Sequence, residues 1–263
     1  MKELTAESPL SIWFHRYENR FLGWGTLLVF LGLWELAPAL GWVKPIFTSS
    51  PSRIFVAAQW LFANGFWADI RVSALEFGYG FALSLLVGIP LGVLMGWYRR
   101  FHAIFEPLIT ILYVTPRVAL VPMLILWFGL GIESKVAIVF LGGVFAILFN
   151  VIAGMQTLDE GLVRCARSFG ARDRQIFVTI ALPSLLPFLM AGIKLAVGRA
   201  LVGVLIGELV ASNAGIGYMM MVAGATFQTD KVFVGVVLLA MVGWGLTAFC
   251  QWIEDHFSQW RAK

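Results

Sequence analysis

Six charged residues stand inside or beside apolar stretches that would leave them little water: Glu35, Glu76, Arg117, Lys194, Arg199 and Glu208. A charge within a bilayer costs about 2.5–3.5 kcal/mol on insertion scales, so each is a functional candidate by default. The cations Arg117, Lys194 and Arg199 suit a small anion, whether nitrate, a sulfonate or a carboxylate, moving along a solute pathway. The three glutamates offer the other reading, in which each cation is a structural half of an ion pair. Lys194 and Arg199 are five positions apart, about 140° around a helix, so they are expected to face different directions.

Other chemistry is thin. Serines occur without a Gly-x-Ser-x-Gly elbow or a His-acid partner, so no catalytic residue is assigned. His15, His102 and His256 are scattered and lack metal-ligand spacing, so no metal is expected. Cys165 and Cys250 lie far apart and suggest neither a disulfide framework nor a metal site. No Gly-x-x-x-x-Gly-Lys-Ser/Thr loop is present to cradle nucleotide phosphates, so the chain is expected to carry no cofactor and to be no enzyme.

The elements that must position the charges are membrane helices. Of 263 residues, 60% are hydrophobic and 13% charged, about half the charge of an ordinary soluble domain. In lipid, backbone amides must be satisfied within their own segment, so long apolar runs become helices of about 20 residues. Phe77–Tyr98, Val136–Leu158 and Val232–Ile253 hold no charge. Phe21–Leu40, Pro107–Leu130 and Pro187–Ala211 hold one to three charges and also read as spans. The expectation is an all-α polytopic membrane protein with about six transmembrane helices.

A polar stretch precedes the first span without a signal-peptide pattern, so that span is expected to stay. With a cytoplasmic N-terminus, the inside segments collect Lys2, Arg16, Arg20, Arg99, Arg100, Arg164, Arg167, Arg172, Arg174, Arg261 and Lys263. The outside collects Lys44, Arg53, Arg71, Lys135 and Lys231. This positive-inside bias, with an even number of spans, puts both termini in the cytoplasm. Residues 1–20 form a cytoplasmic segment, 21–253 the transmembrane domain, and 254–263 a cytoplasmic tail. The basic residues are dispersed, which argues against nucleic acid as a partner.

Along the chain, Phe47–Pro51 reads as a turn, with Ser52 as N-cap of a surface helix from Arg53 to about Asn64. Gly88, Gly92 and Gly96 form a stripe on which another helix can pack closely. Pro116 and Pro122 flank Arg117 and predict irregular backbone beside the charge. The inside loop 156–186 carries its own amphipathic helix. Asp159 and Glu160 lie at its start and Gly170 at its C-terminal cap; Leu158, Leu162, Cys165, Ala166 and Phe169 make one apolar face. That face fits either membrane lipid or a groove on another protein. Arg172–Leu182 resumes a helical pattern that Pro183 ends, and Pro187 opens the next span. Ser212–Tyr218 is a glycine-bearing turn, suited to being read by a docked protein or to plain reversal of the chain.

The loop resembles the cytoplasmic loop of bacterial ABC importer permeases, with the form Glu-Ala-Ala, three residues, Gly, nine residues, Ile, one residue, Leu-Pro. Gly170, Ile180, Leu182 and Pro183 match this spacing, as does Ala166, while Arg164 and Cys165 replace the glutamate and first alanine. Residues 116–131, Ala166–Gly170, Leu182-Pro183 and Gly215–Tyr218 extend the resemblance to the branch that imports nitrate, sulfonates and taurine. The resemblance implies a type I ABC importer permease in a bacterial inner membrane, with no ATP site of its own. Its partners would be a second permease copy, two cytoplasmic ATPase subunits that bind ATP and Mg, and an extracytoplasmic solute-binding protein. Carried over by position, Leu158, Arg164, Arg167, Ser168, Phe169, Gly170, Ala171, Leu182 and Pro183 would form the ATPase-coupling loop. Asn213, Gly215, Gly217 and Tyr218 would meet the binding protein. Two other classes compete: an ion-coupled secondary transporter, for which no inverted repeat is evident, and an intramembrane enzyme.

Overall fold

A computed structural model describes the backbone of residues 9–257 and the side chains of 22–256 apart from Pro45. The side chains of Lys2, His15, Arg16, Arg20, Arg261 and Lys263, with residues 1–8 and 258–263 of the two expected terminal segments, lie outside the described residues. The helices are α1 (Pro9–Ala39), α2 (Pro45–Thr48), α3 (Pro51–Ala63), α4 (Trp67–Trp97), α5 (Arg99–Val114), α6 (Arg117–Phe128) and α7 (Ile132–Gln156). They continue as α8 (Glu160–Ser168), α9 (Asp173–Ile176), α10 (Leu182–Ala211), α11 (Ile216–Ala225) and α12 (Thr229–Phe257). No strand occurs among the described residues.

Five segments are apolar and long enough to cross a bilayer: Leu22–Ala39, Trp67–Trp97, Ile132–Gln156, Asp173–Ala211 and Thr229–His256. The sixth, expected as one helix over Pro107–Leu130, is instead the pair α5 and α6, bent by 96°. The cause is local. A residue before proline is pushed out of the helical region, and Thr115 sits at φ −60°, ψ 126° ahead of Pro116. The amide and hydroxyl of Thr115 both donate to the Ile111 carbonyl, at 3.1 and 2.8 Å, which satisfies the broken end. Pro122 lies within α6 without ending it.

Two expected boundaries move. The surface helix begins at Pro51 with Ser50 as N-cap, two residues earlier than expected. Ser52 turns its amide and hydroxyl to Glu35 of α1, at 2.9 and 2.6 Å. Pro183 does not end the helix before it. The five residues Phe177–Ala181 widen into a π-helical turn that joins α9 to α10, with the Leu182 amide donating to the Phe177 carbonyl five residues back. Such a bulge lets a proline enter a continuing helix without stranding its neighbours. At the other end, α12 runs to Phe257, past the expected start of the tail at 254.

The centre of the bundle is α7, packed between α4 and α10, which make the most extensive contacts in the chain. On α4, the residues Gly80, Ser84, Gly88, Gly92 and Gly96 recur every fourth position and meet α7. Ser84 Oγ lies 3.0 Å from the Phe140 carbonyl oxygen of α7. On the opposite flank, α10 brings Gly192 and Gly203 against α7, while α7 offers Gly142 and Gly154 in return. Without side chains at these points the backbones approach closely, and dispersion replaces the hydrophobic drive that lipid does not supply. By contrast α1 and most of α12 expose apolar side chains outward.

A β-carbon at Gly92 would lie 2.8 Å from the Val151 β-carbon and 3.0 Å from the Leu148 carbonyl oxygen, whereas one at Gly78 meets nothing within 4 Å. Gly92→Ala should therefore lower stability by about 1–3 kcal/mol, the usual cost of overpacking, and Gly78→Ala should not. Thermal unfolding of the two variants in detergent measures the difference, and equal midpoints would contradict the packing described.

Candidate functional site

The polar side chains gather at three levels of the bundle. At one end, α8 hangs between α7 and the segment that begins with α9. Its N-cap is Asp159, whose Oδ1 accepts from the amides of Gly161 and Leu162 at 2.6 and 3.3 Å. Its other end closes with paired reverse hydrogen bonds: the Gly170 amide to the Arg167 carbonyl at 2.9 Å and the Ala171 amide to the Ala166 carbonyl at 3.0 Å. This requires a left-handed residue after the last turn, and Gly170 supplies it at φ +80°. Arg167 also reaches Asp173 across the joint at 3.2 Å.

No residue of α8 is buried. Of the apolar face expected there, Leu162 is 55% exposed and Phe169 is 87% exposed. Arg164, Arg167 and Ser168 are exposed as well, and Ala171 is half-buried. Leu158 differs: it precedes the helix and packs on the α4, α7 and α10 core. Leu182 and Pro183 stand exposed where α10 begins.

At mid-length of the bundle, Arg117 and Arg199 line one cavity of about 300 Å³ between α6, α7 and α10. The break before Pro116 places Arg117 at the first turn of α6. Its Nη1 lies 3.3 Å from the Gly142 carbonyl oxygen, and its guanidinium stands 5.9 and 5.6 Å from the ring centres of Tyr113 and Phe145. Lys194, the third expected pathway cation, stands apart. It faces α12, pairing with Glu254 at 2.5 Å and contacting Gln251.

At the end opposite α8, Asp69, Ser73 and Glu76 share one face of α4 at positions i, i+4 and i+7. Glu208 of α10 is fully buried; its two oxygens accept from the Ser73 hydroxyl and the Gly217 amide, each at 2.5 Å. Ser73 Oγ in turn accepts from the Ile216 amide at 2.9 Å, and Asp69 from the Gly215 amide at 2.8 Å. Glu76 is 1% exposed and pairs with Lys135 of α7 at 3.4 Å. The first turn of α11 is thus held by carboxylates of two other helices. Gly215 and Gly217 are buried in this knot, while Asn213 is exposed and Tyr218 half-buried.

These pairings correct the sequence expectation. Glu35, Glu76 and Glu208 were the available partners for Arg117, Lys194 and Arg199, yet Glu35 holds Ser52, Glu76 holds Lys135 and Glu208 holds α11. Lys135, expected outside the membrane, is buried. The missed signal was the polar face of α4, where Asp69, Ser73 and Glu76 precede the small-residue stripe at helical spacing. No cluster suited to a metal ion occurs among the described residues.

Known proteins resemble the chain in sequence and in fold. The family described as "Binding-protein-dependent transport system inner membrane component" matches residues 88–263. SsuC of Bacillus subtilis (strain 168), named as an aliphatic sulfonates transport permease protein, is 32% identical over 244 residues, covering 91% of this chain and 88% of its own. TauC of Escherichia coli (strain K12), a taurine transport system permease protein, is 25% identical over 245 residues, covering 91% and 89%. Among solved structures, a chain of the inward-facing MetNI methionine ABC transporter shares the fold with a TM-score of 0.57 at 21% identity, covering 75% of this chain and 96% of that one.

Removing one member of a buried ion pair leaves the other uncompensated, at a cost of about 3–5 kcal/mol, whereas replacing both by neutral groups of similar size is far milder. Lys135→Met should therefore depress the thermal midpoint in detergent well below that of the double variant Glu76→Gln/Lys135→Met. A single variant as stable as the parent would show that the pair is not closed in the membrane.

Proposed function

Because the chain belongs to the family of binding-protein-dependent transport system inner membrane components, we propose that it passes a small sulfonate-like anion inward, driven by ATPase subunits that grip α8. It is the permease subunit of an ATP-binding-cassette importer, and its fold is that of a type I importer permease. The observation that carries the coupling reading is α8 itself: a short helix, closed at both ends by its own hydrogen bonds, with Leu162 and Phe169 exposed. A rigid rod with an uncovered apolar face and flanking arginines fits a groove on a partner protein.

The position of α8 supports a mechanism. It joins the C-terminal end of α7 to the α9–α10 segment, and α7 and α10 form the tightest pair in the bundle. Displacement of α8 by closing ATPases would be passed directly to both helices, shifting the bundle between two packings, one open inward and one outward. ATP and Mg would be held by those subunits, since this chain has no phosphate-cradling loop. A second permease copy and an extracytoplasmic binding protein complete the assembly. The relatives named for aliphatic sulfonates and taurine support the solute class.

The binding protein would dock at the end opposite α8, where Asn213 and Tyr218 are accessible and the glycines between them only shape the turn. The excess of basic residues in the segments on the α8 side supports placing α8 and both termini on the cytoplasmic side of a bacterial inner membrane.

Two measurements test this reading. A tagged chain purified from native membranes should bring down an ATPase, and Phe169→Asp should abolish that capture while leaving the chain folded. A chain that comes down alone and moves solute without ATP would overturn the importer reading. Cys165 is exposed on α8 and Cys250 is buried in α12, so a membrane-impermeant maleimide should label Cys165 in inside-out vesicles and leave it unlabelled in intact cells. The reverse pattern would invert the topology.

A further inference from the structure

The cavity shared by Arg117 and Arg199 has a charge that no acid among the described residues answers. No aspartate or glutamate lines it. Neither arginine pairs with an acid among the described residues, although the nearby span cations Lys135 and Lys194 both do. Both arginines line the same cavity wall, so their charges add there. Arg117 commits one of its five donors, to the Gly142 carbonyl, and is flanked by the Tyr113 and Phe145 rings, so its orientation is set while its remaining donors stay free. The start of α6 contributes Arg117, Val118 and, one turn on, Val121 to the wall, adding the positive end of a helix dipole.

The rest of the wall is apolar, from Ile138 of α7 and Val202 and Ile206 of α10. Its volume of about 300 Å³ lies at the lower end of small-molecule pockets. A charged rim and an aliphatic wall together define one kind of ligand.

We propose that this cavity is an anion-binding site within the permease body, which takes a small monoanionic organic oxoacid with its oxygens across Arg117 and Arg199 and its short aliphatic part against Val202 and Ile206. The site deepens the importer reading and rests on it for the solute class. Guanidinium groups suit this task because their planar fork matches an oxoanion with two parallel hydrogen bonds. Gly142 is what allows it: a β-carbon there would lie 2.8 Å from the Arg199 carbonyl oxygen, so only glycine lets α7 bring its carbonyl to Arg117 while α10 brings Arg199 alongside.

The test uses the permease assembled with its ATPase subunits in lipid nanodiscs, without nucleotide, titrated with 1-butanesulfonate and, as the charge-reversed control, n-butylammonium. Calorimetry should show saturable binding of the sulfonate alone, weakened about tenfold or more by R117Q and by R199Q, the scale of losing a hydrogen bond to a charged group. Val202→Trp should weaken butanesulfonate more than methanesulfonate, because it fills the aliphatic end only. Equal binding of the two probes to the unmodified complex, no saturable sulfonate binding, or binding indifferent to both arginine variants would each overturn the site. The probe comparison needs no variant, so a misfolded mutant cannot shelter the proposal. Stimulation of ATP hydrolysis by a loaded binding protein reads the importer function separately: a stimulated complex that fails to bind butanesulfonate refutes the site and leaves that function standing.

Discussion

Helices in lipid gain little from leaving it, so their association depends on how closely their backbones can approach. Here that approach is set by the row from Gly80 to Gly96 on α4 and by Gly142, Gly154, Gly192 and Gly203 on the α7 and α10 faces. Everything else is placed relative to this three-helix centre. The bent pair α5 and α6 leans on it, α8 hangs from it, α12 packs on α10, and α1 lies farther out against α3.

Against that frame the buried charges divide into two kinds. Glu76 pairs with Lys135 through Oε1, its buried Oε2 having no hydrogen-bond partner among the described residues, and Glu208 accepts from the Ser73 hydroxyl and the Gly217 amide. These contacts tie α4, α7, α10 and α11 at one end of the bundle. Arg117 and Arg199 instead face a cavity, with no acid among the described residues to receive their charge. The contrast within one membrane domain is the physical ground for reading one set as structure and the other as a place where something anionic belongs.

The coupling end follows a different logic. The caps of α8 are made within its own few residues, by Asp159 at the start and by Gly170 at φ +80° at the finish. Such a helix keeps its shape without packing against the bundle, which leaves its apolar face free for another protein. The chain on either side leads into α7 and α10, so the most self-sufficient helix of the protein is linked to its most tightly packed pair.

How much of this was legible depended on the range of the interaction. Span number and the α8 caps could be read from the chain because an apolar run long enough to cross lipid, or an Asp and a Gly a helix length apart, acts over a few residues. The resemblance around Gly170 and Leu182-Pro183 was legible for the same reason, and the family follows from it. Proline was ambiguous: Pro116 bends the chain by 96° while Pro122 and Pro187 ride inside helices, and Pro183 is absorbed by a π-helical turn. Residue type alone carried no sign of which would happen, since the outcome depends on whether a neighbour or a widened turn can satisfy the freed carbonyls. Nor could the chain reveal that Glu76 belongs to Lys135, Lys194 to Glu254, and Arg117 and Arg199 to one cavity. Those assignments depend on how each helix is rotated about its axis against the others, and only the packing of small residues across α4, α7 and α10 sets that rotation.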